Sequence, residues 1–319
     1  MTSKPRVCAT IEPDLIAAAT GEAAGATAER VEAHVAACPP CRDDFARYRA
    51  IDTALGALRS TTPPDGDADA ARERLVARLA DLRTRILSYA VLPSSLGPIL
   101  IARSEYGVAL VEYLPREGVT ASRLFRMAGV EPQEDGADLE ELQRELLEYL
   151  EGRRTRLDWP LDLRGARSDF QRAVLRTTVA VPYGAVSSYT GIAAELGKPA
   201  AVRAVAQALR HNPLPIVVPC HRVVGSGGDL VGYAGDRLTL KEQLLGLEGV
   251  PTEPARASKI ARGALYHYEP NPAREYCLPT CGDIARRPIS LLFTRRAQAE
   301  ARGLVPCTTC HPDLHPLPE

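Results

Sequence analysis

Eight cysteines, Cys8, Cys38, Cys41, Cys220, Cys277, Cys281, Cys307 and Cys310, constrain this 319-residue chain more than any other feature. Three lie near the N-terminus, one stands alone and four lie near the C-terminus. The short spacings within the outer groups suit metal ligands rather than a disulfide framework, and the lone cysteine suits chemistry. Cys277-x3-Cys281 and Cys307-x2-Cys310 are separated by 25 residues, a pattern that fits a tetrahedral all-thiolate zinc site. Zinc there would at least staple a segment too small to fold unaided. His34, Cys38 and Cys41 are spaced i, i+4, i+7, which predicts one face of a helix, and Cys8 could complete a second tetrahedron. A metal-free redox helical module is the alternative reading of that set.

Length suits two or three domains, and 45% hydrophobic residues supply real cores. With 39 basic and 40 acidic residues the net charge is −1, which excludes a histone-like polycation but not a local basic face. The first residues lack the pattern of a secretory signal, and no apolar run approaches the ~20 residues that span a bilayer. The expectation is a soluble, cytoplasmic protein without a membrane partner.

Pro, Gly and Asp mark breaks at Thr61–Ala70 and Pro251–Ser258, and Asp69–Ser88 reads as a charged helix. Ser88–Ala102 and Gly107–Leu114 read as strands. Glu131–Glu151 holds nine acidic residues against Arg144 alone, the pattern of a solvated helix face. Ser187–Leu196 and Pro199–Arg210 predict two short helices separated by Gly197 and Lys198, a helix-turn-helix unit. The expected fold is α+β: a small β-sheet subdomain (88–165) and a mainly helical half (166–250). A linker and helix (61–87) precede them, and two small zinc modules (1–60 and 260–319) flank the whole.

Ile216–Val224 is an apolar run broken by Pro219-Cys220-His221-Arg222. A buried cysteine packing as a small hydrophobe is the bland reading. Against it stand the adjacent His221, the positive charge of Arg222 and the glycine-rich loop 225–228, because cationic neighbours lower a thiol pKa and the thiolate is the nucleophile.

Pro182-Tyr183-Gly184, Ser188-Tyr189, Ala201–Ala206, Asn212-Pro213, Pro219–Val223, Gly232-Tyr233 and Lys241–Glu248 follow one another in order. This series closely resembles the O6-alkylguanine-DNA alkyltransferase family, also called methylated-DNA–protein-cysteine methyltransferases, over about Ser88 to Gly249. The resemblance implies that Cys220 accepts an alkyl group from O6 of guanine in double-stranded DNA, irreversibly and once per molecule, without an organic cofactor. It implies that His221 takes the thiol proton through a water, that Glu248 orients the imidazole, and that Asn212 holds the active-site turn. Tyr189 and Lys241 would assist the leaving guanine. DNA binding would fall on Arg203, Tyr189, Ala201, Ala204 and Arg210, with Ala200 and Ala208 also small enough to settle into a minor groove. The base must be flipped out, because its O6 is inaccessible in a stacked duplex, and Arg203 would fill the gap. The substrate pocket would comprise Tyr233, Gly232, Ala234 and Val223. From Ala166 to Val250 nine basic residues oppose six acidic ones, +3, which suits salt-sensitive backbone binding. The loop AGDRLTL before Lys241 is a residue longer than in some relatives, so tolerance of bulky alkyl groups is open.

Tyr276–Asp313, with YCLPTC, Arg286-Arg287-Pro288, Phe293 and GLVPCTTCHPD, resembles the zinc-binding domain of the Ada-type adaptive-response regulator. That resemblance implies that Cys277 takes a methyl group from a DNA methylphosphotriester, although Leu278 stands where an Arg is usual. VEAHVAACPPCRDDF resembles a zinc-associated anti-sigma-factor-like domain, which implies a sigma factor or another transcription protein as partner. Two functions follow: repair of O6-alkylguanine at Cys220, with Cys277 as a second acceptor, or an alkylation-responsive transcriptional sensor acting through the zinc modules.

Overall fold

The computed structural model describes residues 6–60, 67–115, 118–235, 237–253, 256–282 and 284–318. The core of the 61–70 break and Asp236 of the loop before Lys241 lie outside the described residues. The chain divides into two compact units, residues 1–79 and 80–319.

The first unit comprises α1 (Arg6–Ala19), α2 (Ala26–Ala37), α3 (Pro39–Ser60) and most of α4 (Asp67–Arg85). Its core is small: Cys8, Ile11, Leu15, Val31 and Cys41 are buried, with Val35, Phe45 and Tyr48 packed against them. Cores of this size seldom hold a fold without a cross-link. The helix expected to carry His34, Cys38 and Cys41 on one face is in fact broken. Cys38 ends α2 in an extended conformation and α3 begins at Pro39, because a proline tolerates the first turn of a helix but not its interior.

In the second unit β1 (Ile86–Leu92), β2 (Ile99–Ser104), β3 (Gly107–Tyr113) and β4 (Glu131–Glu134) form a sheet of order β3-β2-β1-β4. Ile99, Leu100, Ile101 and Ala102 are all fully buried because both faces of β2 are covered. The acidic stretch becomes β4 and α5 (Gly136–Leu150), and Asp135 caps the helix by accepting from the N–H of Asp138. Its acidic side is solvated as expected, while Leu139, Leu146, Tyr149 and Leu150 are buried.

Then follow α6 (Asp169–Val179), β5 (Ala185–Ser188), α7 (Tyr189–Glu195), α8 (Val202–Arg210), β6 (Val223–Val224) and α9 (Leu238–Leu247). Helices α7 and α8 are the expected helix-turn-helix pair, with Gly197 at φ 67° in the turn and a 3-10 turn at Pro199–Ala201. The break expected at Pro251–Ser258 is a hairpin of β7 (Thr252–Glu253) and β8 (Arg256–Ile260). The C-terminal residues add β9 (Tyr266–Tyr268), β10 (Glu275–Cys277), β11 (Leu291–Phe293), α10 (Arg296–Glu300) and β12 (Val305–Pro306).

These last strands continue the sheet of the helical half, in the order β12-β10-β9-β11-β5-β6. Leu291, Leu292 and Phe293 pair with Ser187, Val186 and Ala185. Tyr266, Tyr276, Phe293 and Leu304 enter the same core as Val174, Leu175 and Val205. Two glycines admit this contact. A Cβ on Gly191 would lie 2.4 Å from the Ser290 carbonyl oxygen, and one on Gly184 (φ 70°) 2.7 Å from Nε2 of Gln298.

Candidate active site

Cys220 opens a 3-10 turn, Cys220–Arg222, between two buried apolar runs, Ile216–Val218 and Val223–Val224. The flanking runs anchor the turn and Pro219 stiffens it. The N–H of Cys220 donates to the Val218 carbonyl at 2.7 Å. Nδ2 of Asn212 donates to the Val218 carbonyl at 2.9 Å and to Cys220 Sγ at 3.1 Å. Oδ1 of Asn212 accepts the N–H of Leu214 at 2.9 Å.

The thiol lines a cleft of about 270 Å³ together with Asn212, Arg210, Ala234, Gly235 and Arg237. Val111, Glu112, Tyr113 and Arg123 of the β-rich half close its other side. Of the expected pocket residues only Ala234 lines this cleft. Gly232 is exposed, with φ 54°, and Val223 is fully buried. Tyr233 is buried behind the thiol, its hydroxyl 2.9 Å from that of Tyr113 and its ring edge-on to His221.

His221 and Glu248 are both buried, and Nε2 of the imidazole lies 2.7 Å from Oε1 of the carboxylate. Nδ1 of His221 is buried without a hydrogen-bond partner among the described residues. Burial holds the His221 pKa below its usual value, outweighing the pull of Glu248 toward the charged form. Burial would raise the Glu248 pKa, but His221 and Arg222 overcome it and bring the carboxyl down to about 2.

Arg222 departs from the expectation that its charge activates the thiol. Its guanidinium turns away from Cys220, donating from Nε to Glu248 Oε2 at 2.9 Å and from Nη1 to the Val181 carbonyl at 2.6 Å. Burial raises the Cys220 pKa, and the Asn212 hydrogen bond and the Lys241 charge offset that only in part. The resting group is therefore a thiol whose proton must be removed. Glu248 also accepts from the hydroxyl of Tyr149, at the end of α5, and from the N–H of Gly184 at 3.0 Å. Neither partner was legible in the sequence: Tyr149 lies in the acidic stretch, 99 residues away.

Lys241 is fully buried and donates to the carbonyls of Val223 at 2.6 Å and Val231 at 3.1 Å, tying α9 to the chain that follows the Cys220–Arg222 turn. Burial brings its pKa down to about 8. The Tyr189 hydroxyl donates to the same Val231 carbonyl at 3.2 Å, and burial raises its pKa to about 12. On α8, Arg203, Ala204 and Arg210 are exposed and Ala201, just before the helix, is half-buried. Ala208 is not available to a groove: it is 8% exposed, and its carbonyl accepts from Gln171 Nε2.

Both ligand sets assemble. The donor atoms of Cys277, Cys281, Cys307 and Cys310 lie within 4.8 Å of one another, as do those of Cys8, His34, Cys38 and Cys41. The residues fit a metal. His34 Nε2 is a buried atom with no hydrogen-bond partner among the described residues. In the C-terminal set the N–H groups of Leu278 and Thr309 point at the sulfurs of Cys310 and Cys307, at 3.3 and 3.4 Å. Backbone donors of this kind favour the thiolate form that binds metal. Among the described residues no helix is long and apolar enough to cross a membrane.

Three family models match the chain: the 6-O-methylguanine DNA methyltransferase ribonuclease-like domain over 87–163, the DNA-binding domain of the same name over 169–250, and a zinc-finger family over 8–42. The methylated-DNA–protein-cysteine methyltransferase of Methanosarcina barkeri is 36% identical over 168 residues, 50% of this chain and 96% of that protein. The constitutive enzyme of that name from Bacillus subtilis is 44% identical over 113 residues, 35% of this chain and 67% of that protein. A crystal structure of Mycobacterium tuberculosis O6-methylguanine methyltransferase aligns at TM-score 0.45 and 35% identity, covering 53% of this chain and 98% of that one.

Proposed function

The chain belongs to the methylated-DNA–protein-cysteine methyltransferase family, and on that premise we propose that Cys220 repairs O6-alkylguanine in double-stranded DNA by irreversible, single-turnover transfer. One observation carries the assignment to residues: the Cys220 thiol lines a cleft, held by Asn212, next in the chain to an imidazole tied to Glu248. The sulfur attacks the alkyl carbon as the bond from that carbon to O6 breaks. The thiol proton passes through a water to Nδ1 of His221, the ring nitrogen that Glu248 leaves free. The departing guanine takes up a proton from solvent while the Tyr189 hydroxyl donates a hydrogen bond to N3, the imidazolium releases the thiol's proton to solvent, and the alkyl group stays on sulfur as a thioether.

The charges balance through the step. With Cys220 as thiol and His221 neutral, Arg222 and Glu248 cancel. After proton transfer the thiolate and imidazolium form a second pair, which lasts until alkylation consumes the thiolate and the imidazolium gives up its proton. Lys241 adds a cation near the sulfur and fixes the loop.

Arg203, exposed at the start of α8, is the side chain that would fill the stack when the base is everted. Ala201 and Ala204 permit close approach, and Arg210 reaches from the cleft rim toward phosphate. Cys277, Cys281, Cys307 and Cys310 would hold one zinc ion and Cys8, His34, Cys38 and Cys41 another. When bound, zinc supplies cross-links between chain segments, and no organic cofactor enters the scheme. Thiolate ligation of zinc at these positions would suit a reducing, cytoplasmic compartment. Exposed Ile51 and Leu55 on α3 support a protein partner for the first unit, a sigma factor on the resemblance, and a pull-down with the full chain tests it.

Incubation with duplex DNA carrying O6-methylguanine, followed by peptide mass spectrometry, tests the repair assignment: the methyl belongs on the Cys220 peptide. A parallel arm with methylphosphotriester DNA tests Cys277, half-buried at its cluster, as a second acceptor.

A further inference from the structure

Besides pairing along β5, the C-terminal residues reach the backbone turn at 182–184, between α6 and β5. Two consecutive carbonyls of this turn are held from around the start of α10. Nε2 of Gln298 donates to the Tyr183 carbonyl at 2.7 Å, and the N–H of Thr294 donates to the Gly184 carbonyl at 3.1 Å. The same turn also meets the catalytic carboxylate, because the N–H of Gly184 donates to Oε2 of Glu248 at 3.0 Å. The approach is as close as only glycine permits. A Cβ on Gly184 would lie 2.8 Å from Oγ1 of Thr294 and 3.1 Å from the Glu248 carbonyl oxygen.

The Tyr183 carbonyl and the Gly184 N–H belong to one peptide group, planar and trans, and they point in opposite directions from that rigid plate. Gln298 grips one end of the plate, and the other end grips Glu248. A donor on the carbonyl polarises the peptide and strengthens its N–H. Oε1 of the same carboxylate lies 2.7 Å from Nε2 of His221. One peptide group and one carboxylate therefore connect Gln298 to the imidazole. The Gln298 amide is itself oriented: its Oε1 accepts the N–H of Arg295 at 2.9 Å and the hydroxyl of Thr294 at 3.2 Å, which leaves Nε2 for the carbonyl. Gln298 lies outside 87–163 and 169–250, the residues that match the alkyltransferase family models.

We propose that Gln298 is a positioning residue for alkyl transfer at Cys220: by fixing the peptide between Tyr183 and Gly184, it keeps Glu248 turned onto His221. The inference rests on the repair reading, in which His221 receives the thiol proton. As the imidazolium forms, the anion that balances it has to be in place already. Arg222 and Tyr149 hold the same carboxylate, so loss of the Gln298 donor loosens the anion without releasing it. The step slows and is not abolished.

The test uses the full-length, zinc-loaded chain and O6-methylguanine duplex, with single-turnover rates measured over a range of DNA concentrations. Gln298→Glu separates the two roles of the side chain. A glutamate at this third helical position still accepts the Arg295 N–H and caps α10, but it has no N–H for the Tyr183 carbonyl. The saturating rate should fall about three- to tenfold, the worth of one hydrogen bond, while the half-saturating DNA concentration and the melting temperature stay at the parental values. Arg302→Ala deletes another tie of the same segment, the donation to the Ala180 carbonyl at 2.8 Å, and should transfer at the parental rate. A parental rate for Gln298→Glu would overturn the proposal, as would a slower rate accompanied by a lower melting temperature. Equal slowing of Arg302→Ala would overturn it too, by assigning the effect to docking of the whole segment. A parent chain that gains no methyl on Cys220 would sink the repair reading and this inference together, whereas failure in the variants alone leaves repair standing.

Discussion

Oε1 of Glu248 stands 2.7 Å from Nε2 of His221, and the same carboxylate accepts both Arg222 and the hydroxyl of Tyr149. One buried anion thereby fixes the imidazole beside the nucleophile and neutralises the only arginine in the network. Removing it leaves a buried guanidinium uncompensated. Glu248→Gln should destabilise the second unit by about 3–5 kcal/mol and slow transfer to Cys220, read by thermal melting and by single-turnover kinetics.

The same carboxyl gives a pH dependence whose sign is determined. Its folded pKa, about 2, lies below the ordinary glutamate value of 4.5. Its contribution is therefore complete above about 4.5 and is lost as pH falls toward 2. The stability gap between parent and Glu248→Gln should narrow across that window in denaturant titrations; a constant gap would place the charge elsewhere.

Tyr149 reaches the network from the β-rich half. Tyr149→Phe keeps the ring and its edge-on contact with Tyr183 but deletes the donor to Glu248. The expected result is a loss of about 1–3 kcal/mol and a slower saturating rate, with DNA affinity unchanged.

Arg203 is exposed, so its replacement should leave the fold intact. Arg203→Ala should lower transfer from duplex DNA by an order of magnitude or more, on the scale of the few kcal/mol needed to unstack a base. Transfer from free O6-methylguanine base should hardly change. Equal losses on both substrates would assign Arg203 a structural role.

Because β11 pairs with β5, loss of metal at the C-terminal set should be felt in the alkyltransferase itself. Cys307→Ser/Cys310→Ser should lower the melting temperature of the second unit and speed hydrogen exchange at 185–191. Cys38→Ser/Cys41→Ser should affect residues 8–42 alone. Metal content by mass spectrometry checks each variant.

What the sequence made legible was local. Cys220, His221, Asn212 and the α7–α8 pair sit in short motifs whose order survives without any three-dimensional information. The carboxylate network was hidden because Tyr149 and Arg222 meet Glu248 from 99 and 26 residues away, and no spacing rule connects them. The shared sheet was hidden because β9 and β11 are three residues each, too short for a periodic pattern to register. Helix periodicity placed His34, Cys38 and Cys41 on one face, yet the two prolines after Cys38 start a new helix and the ligands converge from both. The expected acidification of Cys220 failed for a physical reason: Arg222 is engaged by a carboxylate, and burial dominates the thiol.

The most direct test of the central claim is the stoichiometry of methyl transfer. Zinc-loaded protein is incubated with excess O6-methylguanine duplex, and methyl groups per chain are counted by intact mass and located by peptide mapping. The account predicts one methyl, on Cys220, with none gained by Cys220→Ser. Folded, DNA-binding protein that gains no methyl on Cys220, or that turns over repeatedly, would contradict it.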